Sequence, residues 1–307
     1  MRDGVLTGPQ GHTASLRPTP TMVPSSLGRT ARAARASLRQ PVGLLSAVVV
    51  FVLATLGILS AHIAPYSPNE TIFSPYLPPG AGVLLGTDKL GRDVLSRLIW
   101  GARLTFYVGL VSVGVSITLG TFWGIVTSYF GGPVDTLTQR CVDMLMALPP
   151  IVLALSVMAA VGQSVNNVIL ALGILLTPTA IRTVRPIVLS IRETAYIEAA
   201  RAIGCSRARI VLRHIVPNCV AIYIVLFSIN IGYAVVVEAS LSFLGVGIPP
   251  DEPSWGAMLA ASMVDAARAP WLMIFPALAI FLAVLSLNLL GDTIRDIFDP
   301  RLRRELR

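Results

Sequence analysis

The sequence predicts an all-α, polytopic membrane protein: six transmembrane helices and one loop of two short helices on the cytoplasmic side. Three observations carry that prediction. First, of 307 residues 54% are hydrophobic and only 13% charged, with a mean hydropathy of +0.74. Soluble domains carry about 25% charged residues, so this chain has too little polar surface for a soluble body of its size. Second, six windows contain no Asp, Glu, Lys or Arg: Val42–Ala64, Leu104–Phe130, Met144–Gly162, Gln163–Ile181, Cys219–Val237 and Ala269–Gly291. A bilayer core of about 30 Å needs roughly 20 apolar helical residues to cross. Third, the basic residues divide unevenly between the two sides those windows define. With a cytoplasmic amino terminus, nineteen fall inside and five outside, namely Lys89, Arg92, Arg97, Arg103 and Arg268. The positive-inside rule then places both termini in the cytoplasm.

Residues 1–40 are rich in Arg, Ser, Thr, Pro and Ala without apolar periodicity and are expected to form a disordered cytoplasmic tail. A cleavable signal peptide is the rival reading. The charged stretch is too long for one, and the run after it is long enough to span, so the first helix is expected to be an uncleaved anchor. Residues 41–298 are expected to be one membrane domain and 299–307 a cytoplasmic carboxyl-terminal tail. Between the first two spans, the proline-broken stretch Pro65–Gly86 reads as irregular loop. In Thr87–Arg103 the residues Leu90, Val94, Leu95, Leu98 and Ile99 stand at helical spacing, which predicts an amphipathic helix on the membrane surface. The third and fourth windows abut, so a tight turn is expected near Gly162–Asn167. Pro149, Pro150, Pro178 and Pro276 are expected to kink spans. A second external segment runs over Gly245–Arg268, and Arg182–Asn218 is the longest internal loop.

Several chemistries are excluded by what they would need. A phosphate-binding loop requires GxxxxGK[ST], and the single lysine, Lys89, lies between Asp88 and Leu90. His12, His62 and His214 are far apart and none pairs with a carboxylate at ligand spacing, so no metal site is expected. No GxSxG elbow occurs. Cys141, Cys205 and Cys219 show no CxxC spacing, and a disulfide framework is not expected in cytoplasmic regions. The net charge of +8 follows the membrane segments, so it marks topology and not nucleic-acid binding.

The internal loop is the part built for a partner. Over Ala195–Ile203 the residues Ala195, Tyr196, Ala199, Ala200, Ala202 and Ile203 share one broad face, with Glu198 and Arg201 on the other side. Gly204 is placed to end that helix in a left-handed cap. A second helical stretch, Ser206–Ile215, is expected to end at Pro217. Periodicity alone leaves two readings open: a pair resting on the membrane surface, or a compact projection that docks into a groove of another protein. Within the otherwise apolar run Cys219–Pro250 stands one carboxylate, Glu238. It is either a gate or lining of a translocation path, or a structural group near the external end. Asp88, Arg92 and Asp93 either shape the external entrance or cap and pair the surface helix.

Glu198-Ala199-Ala200, Gly204 and Pro217 stand at the spacing of the EAA loop, and on them the chain resembles the permease subunits of binding-protein-dependent ABC importers. His214 and Val216 depart from the general pattern, which has isoleucine and leucine there. The string His214-Ile215-Val216-Pro217-Asn218 is similar instead to the branch that carries peptides and nickel. Gly86-Thr87-Asp88-Lys89-Leu90-Gly91-Arg92-Asp93, Glu238-Ala239-Ser240-Leu241-Ser242-Phe243-Leu244-Gly245 and Asp299-Pro300-Arg301 resemble the C-type permease of dipeptide and oligopeptide importers. The likeness runs from about residue 42 to 303. It implies a subunit of the bacterial cytoplasmic membrane that is not an enzyme and binds no cofactor itself, ATP and magnesium belonging to partners. Those partners are a sister permease, two ATP-binding subunits that dock on the EAA loop, and an extracellular or periplasmic substrate-binding protein. Nickel import is the alternative within the branch. A stand-alone channel or secondary transporter, or a membrane-anchored assembly factor, would leave the EAA spacing unexplained.

Overall fold

The computed structural model describes residues 41–80 and 82–298; the tails expected at 1–40 and 299–307 lie outside the described residues. The described residues form eleven α-helices and no strand. They are α1 (Pro41–Ile58), α2 (Ser60–Ile63), α3 (Val94–Phe130), α4 (Gly132–Met146), α5 (Pro150–Val161) and α6 (Val165–Arg192). Then come α7 (Ala195–Ala202), α8 (Arg207–Ile210), α9 (Val216–Phe243), α10 (Trp255–Ser262) and α11 (Trp271–Phe298). A π-helical turn, Val211–Ile215, joins α8 to α9.

The chain is a polytopic α-helical membrane protein. Five stretches are long and apolar enough to cross a bilayer: α1, α3, α6, α8 through α9, and α11. The sixth crossing is broken. α4 and α5 meet at 93°, and the twelve residues of α5 extend about 18 Å, short of the roughly 30 Å core. The window Met144–Gly162 therefore corresponds not to one straight span but to a bend followed by a short helix. Pro149 and Pro150 sit at that bend, because neither has an N–H to continue the ladder of α4. Pro178, Pro186 and Pro276, by contrast, stand inside unbroken helices. The turn expected near Gly162–Asn167 is present. Ser164 accepts from Asn167 N at 3.1 Å, and Asn167 Nδ2 donates to the Val161 carbonyl at 2.9 Å, closing the end of α5.

α3 and α6 form the main seam of the bundle. Along α3 a small residue recurs at every fourth position, Ser112, Ser116, Gly120, Gly124 and Ser128, and all five are buried. Lipid gives helices no hydrophobic reason to associate, so close backbone packing must do it, and small residues permit the approach. A Cβ on Gly120 would stand 2.7 Å from both Ala180 Cβ and the Thr177 carbonyl oxygen. Ser112 and Ser116 fold their hydroxyls back onto their own helix, Ser112 donating to the Val108 carbonyl at 2.6 Å and Ser116 to the Ser112 carbonyl, whereas the Ser128 hydroxyl is buried without a partner among the described residues. Val108, Val113 and Ile117 of α3, Leu172 and Leu176 of α6, and Ala234 and Val235 of α9 complete the core.

Three expectations about helix limits are corrected. Thr87–Arg103 is not a separate surface helix: α3 begins at Val94 and runs without a break for 37 residues, since nothing between Val94 and Phe130 interrupts helical hydrogen bonding. Arg182–Asn218 is not a long loop, because α6 continues to Arg192 and only short links separate it from α7 and α8. Pro217 does not end the second short helix. The chain widens into the π turn, where Val216 N–H reaches back to the Val211 carbonyl. Asn218 Nδ2 donates to the His214 carbonyl at 2.6 Å. The wider turn makes room for the proline ring, so α8 and α9 form one continuous rod.

Candidate functional site: a protruding helix pair and a buried carboxylate

The helix pair is a rigid extension of two spans. α6 passes into α7 through Glu193 and Thr194 alone, and Thr194 Oγ1 donates to the Ile191 carbonyl at 2.6 Å. Ile197 is 0% exposed and Ala200 is also buried; they pin α7 to the bundle. Ile210 and Ile215 do the same for α8 and the π turn. Between the helices Gly204 adopts φ +80°, the left-handed cap expected of it. Gly204 N donates to the Arg201 carbonyl and Cys205 N to the Ala200 carbonyl, both at 3.0 Å, the paired bonds of a Schellman ending. Ser206 accepts from Arg209 N at 3.4 Å and starts α8. The rings of Tyr196 and His214 lie 6.0 Å apart, so the two helices touch across the turn.

Among the described residues, this projection leaves large apolar side chains uncovered beside exposed charges. Ile203 is 80% exposed, Leu212 67% and Tyr196 48%, and Glu198 and Ala199 are exposed beside them. Of the five residues singled out in the sequence, Glu198, Ala199, Gly204 and Pro217 are therefore at the surface. Ala200 is not: it faces inward, and its place on the outer face is taken by Ile203. Ile197, the inward anchor, was missed because the alanine pattern drew attention to the other side.

Charged pairs that sequence reading did not find tie the pair end of the bundle together. Arg185 of α6 grips Asp135 of α4 with two nitrogens, Nη2 at 2.8 Å and Nε at 3.1 Å from the two carboxylate oxygens. Arg182 pairs with Asp143. Arg192, the last residue of α6, donates to the Tyr129 carbonyl at 3.2 Å, satisfying a terminal carbonyl of α3. Fifty residues separate Asp135 from Arg185, and nothing local announces their pairing.

At the opposite end, Asp88, Arg92 and Asp93 build the entry into α3. Asp88 Oδ1 accepts from Leu90 N at 2.8 Å and Arg92 N at 3.0 Å, while Oδ2 accepts from Arg92 Nε at 2.6 Å. Asp93 Oδ2 accepts from Ser96 N at 2.7 Å and caps the helix. The three thus cap and pair, and it is α3 itself that they cap. Arg97, buried and unforeseen, joins the loops by donating to the Pro68 carbonyl at 2.9 Å and to that of Pro250 at 3.5 Å. Glu238 is fully buried where α9 meets α3 and α10. Its Oε1 accepts from Ser242 Oγ at 3.0 Å, and Thr105 and Ser254 lie beside it. It faces neither of the bundle's open surfaces. A cavity of about 830 Å³ does open at this end, lined by Trp100, Arg103 and Tyr107 together with Asp251 and Glu252.

The chain has known relatives. The family model described as binding-protein-dependent transport system inner membrane component matches residues 116–304, a span that takes in the helix pair. The chain is 41% identical over 259 residues to a putative peptide transport system permease protein of Brucella abortus biovar 1, covering 83% of this chain and 87% of that protein. It is 40% identical over 271 residues to the glutathione transport system permease protein GsiD of Pectobacterium atrosepticum, covering 88% and 90%. Among solved structures, a chain of the inward-facing MetNI methionine ABC transporter superposes with a TM-score of 0.53 at 19% identity. That match covers 69% of this chain and 96% of the other, and it is the fold that the two share.

Proposed function

The chain belongs to the family of binding-protein-dependent transport system inner membrane components, the permease subunits of ABC importers, and from that premise we propose that its cargo is a di- or oligopeptide. The observation that carries the mechanism is the helix pair. A rigid projection with Tyr196, Ile203 and Leu212 exposed is a surface that a partner covers, and both its arms continue into spans. A motor subunit docked there can tilt α6 and the α8–α9 rod together, supplying the two-state element that alternating access needs. Glu198, Ala199, Gly204 and Pro217 form or frame the docking surface. The partners in this reading are a sister permease, two ATP-binding subunits that hold ATP and magnesium, and an external binding protein. The peptide assignment is supported by relatives named for peptide and glutathione transport. Charges of both signs on the aromatic-walled cavity at Arg103, Asp251 and Glu252 suit a zwitterionic cargo. Glu238, buried with its Oε1 accepting from Ser242 of the same helix and with Thr105 of α3 and Ser254 beside it, takes a structural role where these elements meet.

The experiment is reconstitution of the four membrane-associated subunits in vesicles with the binding protein. Uptake of labelled peptide is expected only with Mg-ATP and binding protein together, and the purified chain alone is expected to turn over no ATP. Nickel uptake in place of peptide would overturn the cargo, and ATP turnover by the lone chain would overturn the division of labour.

The orientation completes the reading: both termini and the helix pair face the cytoplasm. Its support is the nineteen-to-five division of basic residues. In a cysteine-free background, an impermeant thiol reagent added to intact cells is expected to label a cysteine at Asp251 and to spare one at Arg207. The reverse pattern would invert the topology.

A further inference from the structure

Between the end of α3 and the helix pair lies a cavity of about 390 Å³, lined by Tyr129, Phe130, Arg192, Arg201, Arg207 and Ile210. Three arginines line it. Arg192 is held by the Tyr129 carbonyl, and the Arg201 guanidinium stands 5.9 Å from the centre of the Tyr129 ring. Among the described residues none of the three is ion-paired with a carboxylate. Like charges gathered without a counter-charge repel one another, and such a cluster is stabilised by an anion from outside.

Two anions deserve comparison, a lipid phosphate and a carboxylate of a docked protein. Arg182 is the first charged residue beyond the apolar stretch of α6, and Arg192 lies ten residues further on, about 15 Å along the helix. The headgroup layer of one leaflet is only about 5–7 Å thick. The cavity therefore lies past the headgroups, level with the helix pair. We propose that it receives an acidic side chain of the ATP-binding subunit, held by Arg201 and Arg207 on either side of the Gly204 turn. This rests on the docking role given to the helix pair. It adds a charged lock to the apolar contact at Ile203, and a lock of that kind sets salt dependence and encounter rate as well as affinity.

The test uses the full importer in lipid nanodiscs, stripped of its ATP-binding subunits and then titrated with them at low and high salt. Arg201→Gln with Arg207→Gln leaves Arg192 and the end of α3 intact. That variant is expected to bind the ATP-binding subunit about tenfold more weakly at low salt and to lose most of the salt dependence. Unchanged affinity and salt slope would overturn the proposal. Ile203→Asp in the same assay separates it from the docking reading. Loss of binding with Ile203→Asp but not with the glutamine pair removes the charged lock and keeps the docking; no loss with either removes both. Nanodiscs of phosphatidylcholine with and without phosphatidylglycerol form the last arm. If the effect of the glutamine pair appears only with the anionic lipid, the cavity binds lipid phosphate and the proposal falls.

Discussion

Gly204→Val is expected to reduce import by about tenfold or more while the protein reaches the membrane at normal levels. Gly204 holds φ +80°, and an L side chain there costs about 1–2 kcal/mol, which corresponds to roughly a tenfold shift in the population of the native turn. No atom lies within 4 Å of where its Cβ would stand, so the penalty is conformational and not a clash. The strain is relieved only if the turn changes, and that breaks the two bonds to the Arg201 and Ala200 carbonyls and swings α8 against α7. Ile197, Ile210 and Ile215 stay anchored in the bundle, so insertion survives. Gly204→Asn is the control: asparagine tolerates the left-handed region and should retain most of the import. Glu198→Lys, on the exposed face of the same projection, should lower import by reversing a charge at the docking surface. Membrane level by immunoblot and uptake in the same cells decide the matter. Wild-type import by the valine variant would mean that the geometry of this turn does not set coupling.

The sequence made the turn legible because its signals are local. A glycine after an alanine-rich helical stretch, followed by Ser206 as the next cap, leaves little choice of backbone. The spans were legible for a similar reason, since lipid selects uncharged runs of fixed length. Their limits were less so. The surface helix assigned to Thr87–Arg103 fails because charged Arg97 and Arg103 look like a boundary, although a helix continues through charges when its buried arginine finds carbonyls, as Arg97 does at Pro68 and Pro250. Pro217 reads as a stop, yet a π turn one step earlier absorbs it. The Asp135–Arg185 and Asp143–Arg182 pairs depend on how α4 folds back at its bend, which is a tertiary outcome. The small-residue ladder from Ser112 to Ser128 was on view in the sequence; a period of four in the second span is the signal that finds the α3–α6 seam.

That seam carries the other large effect. Gly120→Leu is expected to deplete the protein from the membrane fraction, and Gly120→Ala to lower its melting temperature in detergent by several degrees. The reason is the opposite of that at Gly204. Gly120 is helical, and what it supplies is space: a Cβ would stand 2.7 Å from Ala180 Cβ and 2.7 Å from the Thr177 carbonyl oxygen. The carbonyl is backbone and cannot rotate away, so α3 and α6 must separate. Overpacking of this kind costs about 1–3 kcal/mol, and in a bilayer no hydrophobic gain offsets the lost contact. Separation at Gly120 also opens Gly124 against Ile181, whose Cα would lie 3.1 Å from a Cβ there. Further along, it loosens the hold of Arg192 on the end of α3, so any protein that does accumulate should couple poorly. Ala180→Gly removes one of the two clashes and should restore part of the stability of Gly120→Ala, leaving the carbonyl contact as the remainder. Thermal unfolding of the four variants in that cycle measures the coupling directly. Additive effects within about 0.5 kcal/mol, or a leucine variant as abundant as wild type, would show that the helices do not need this approach.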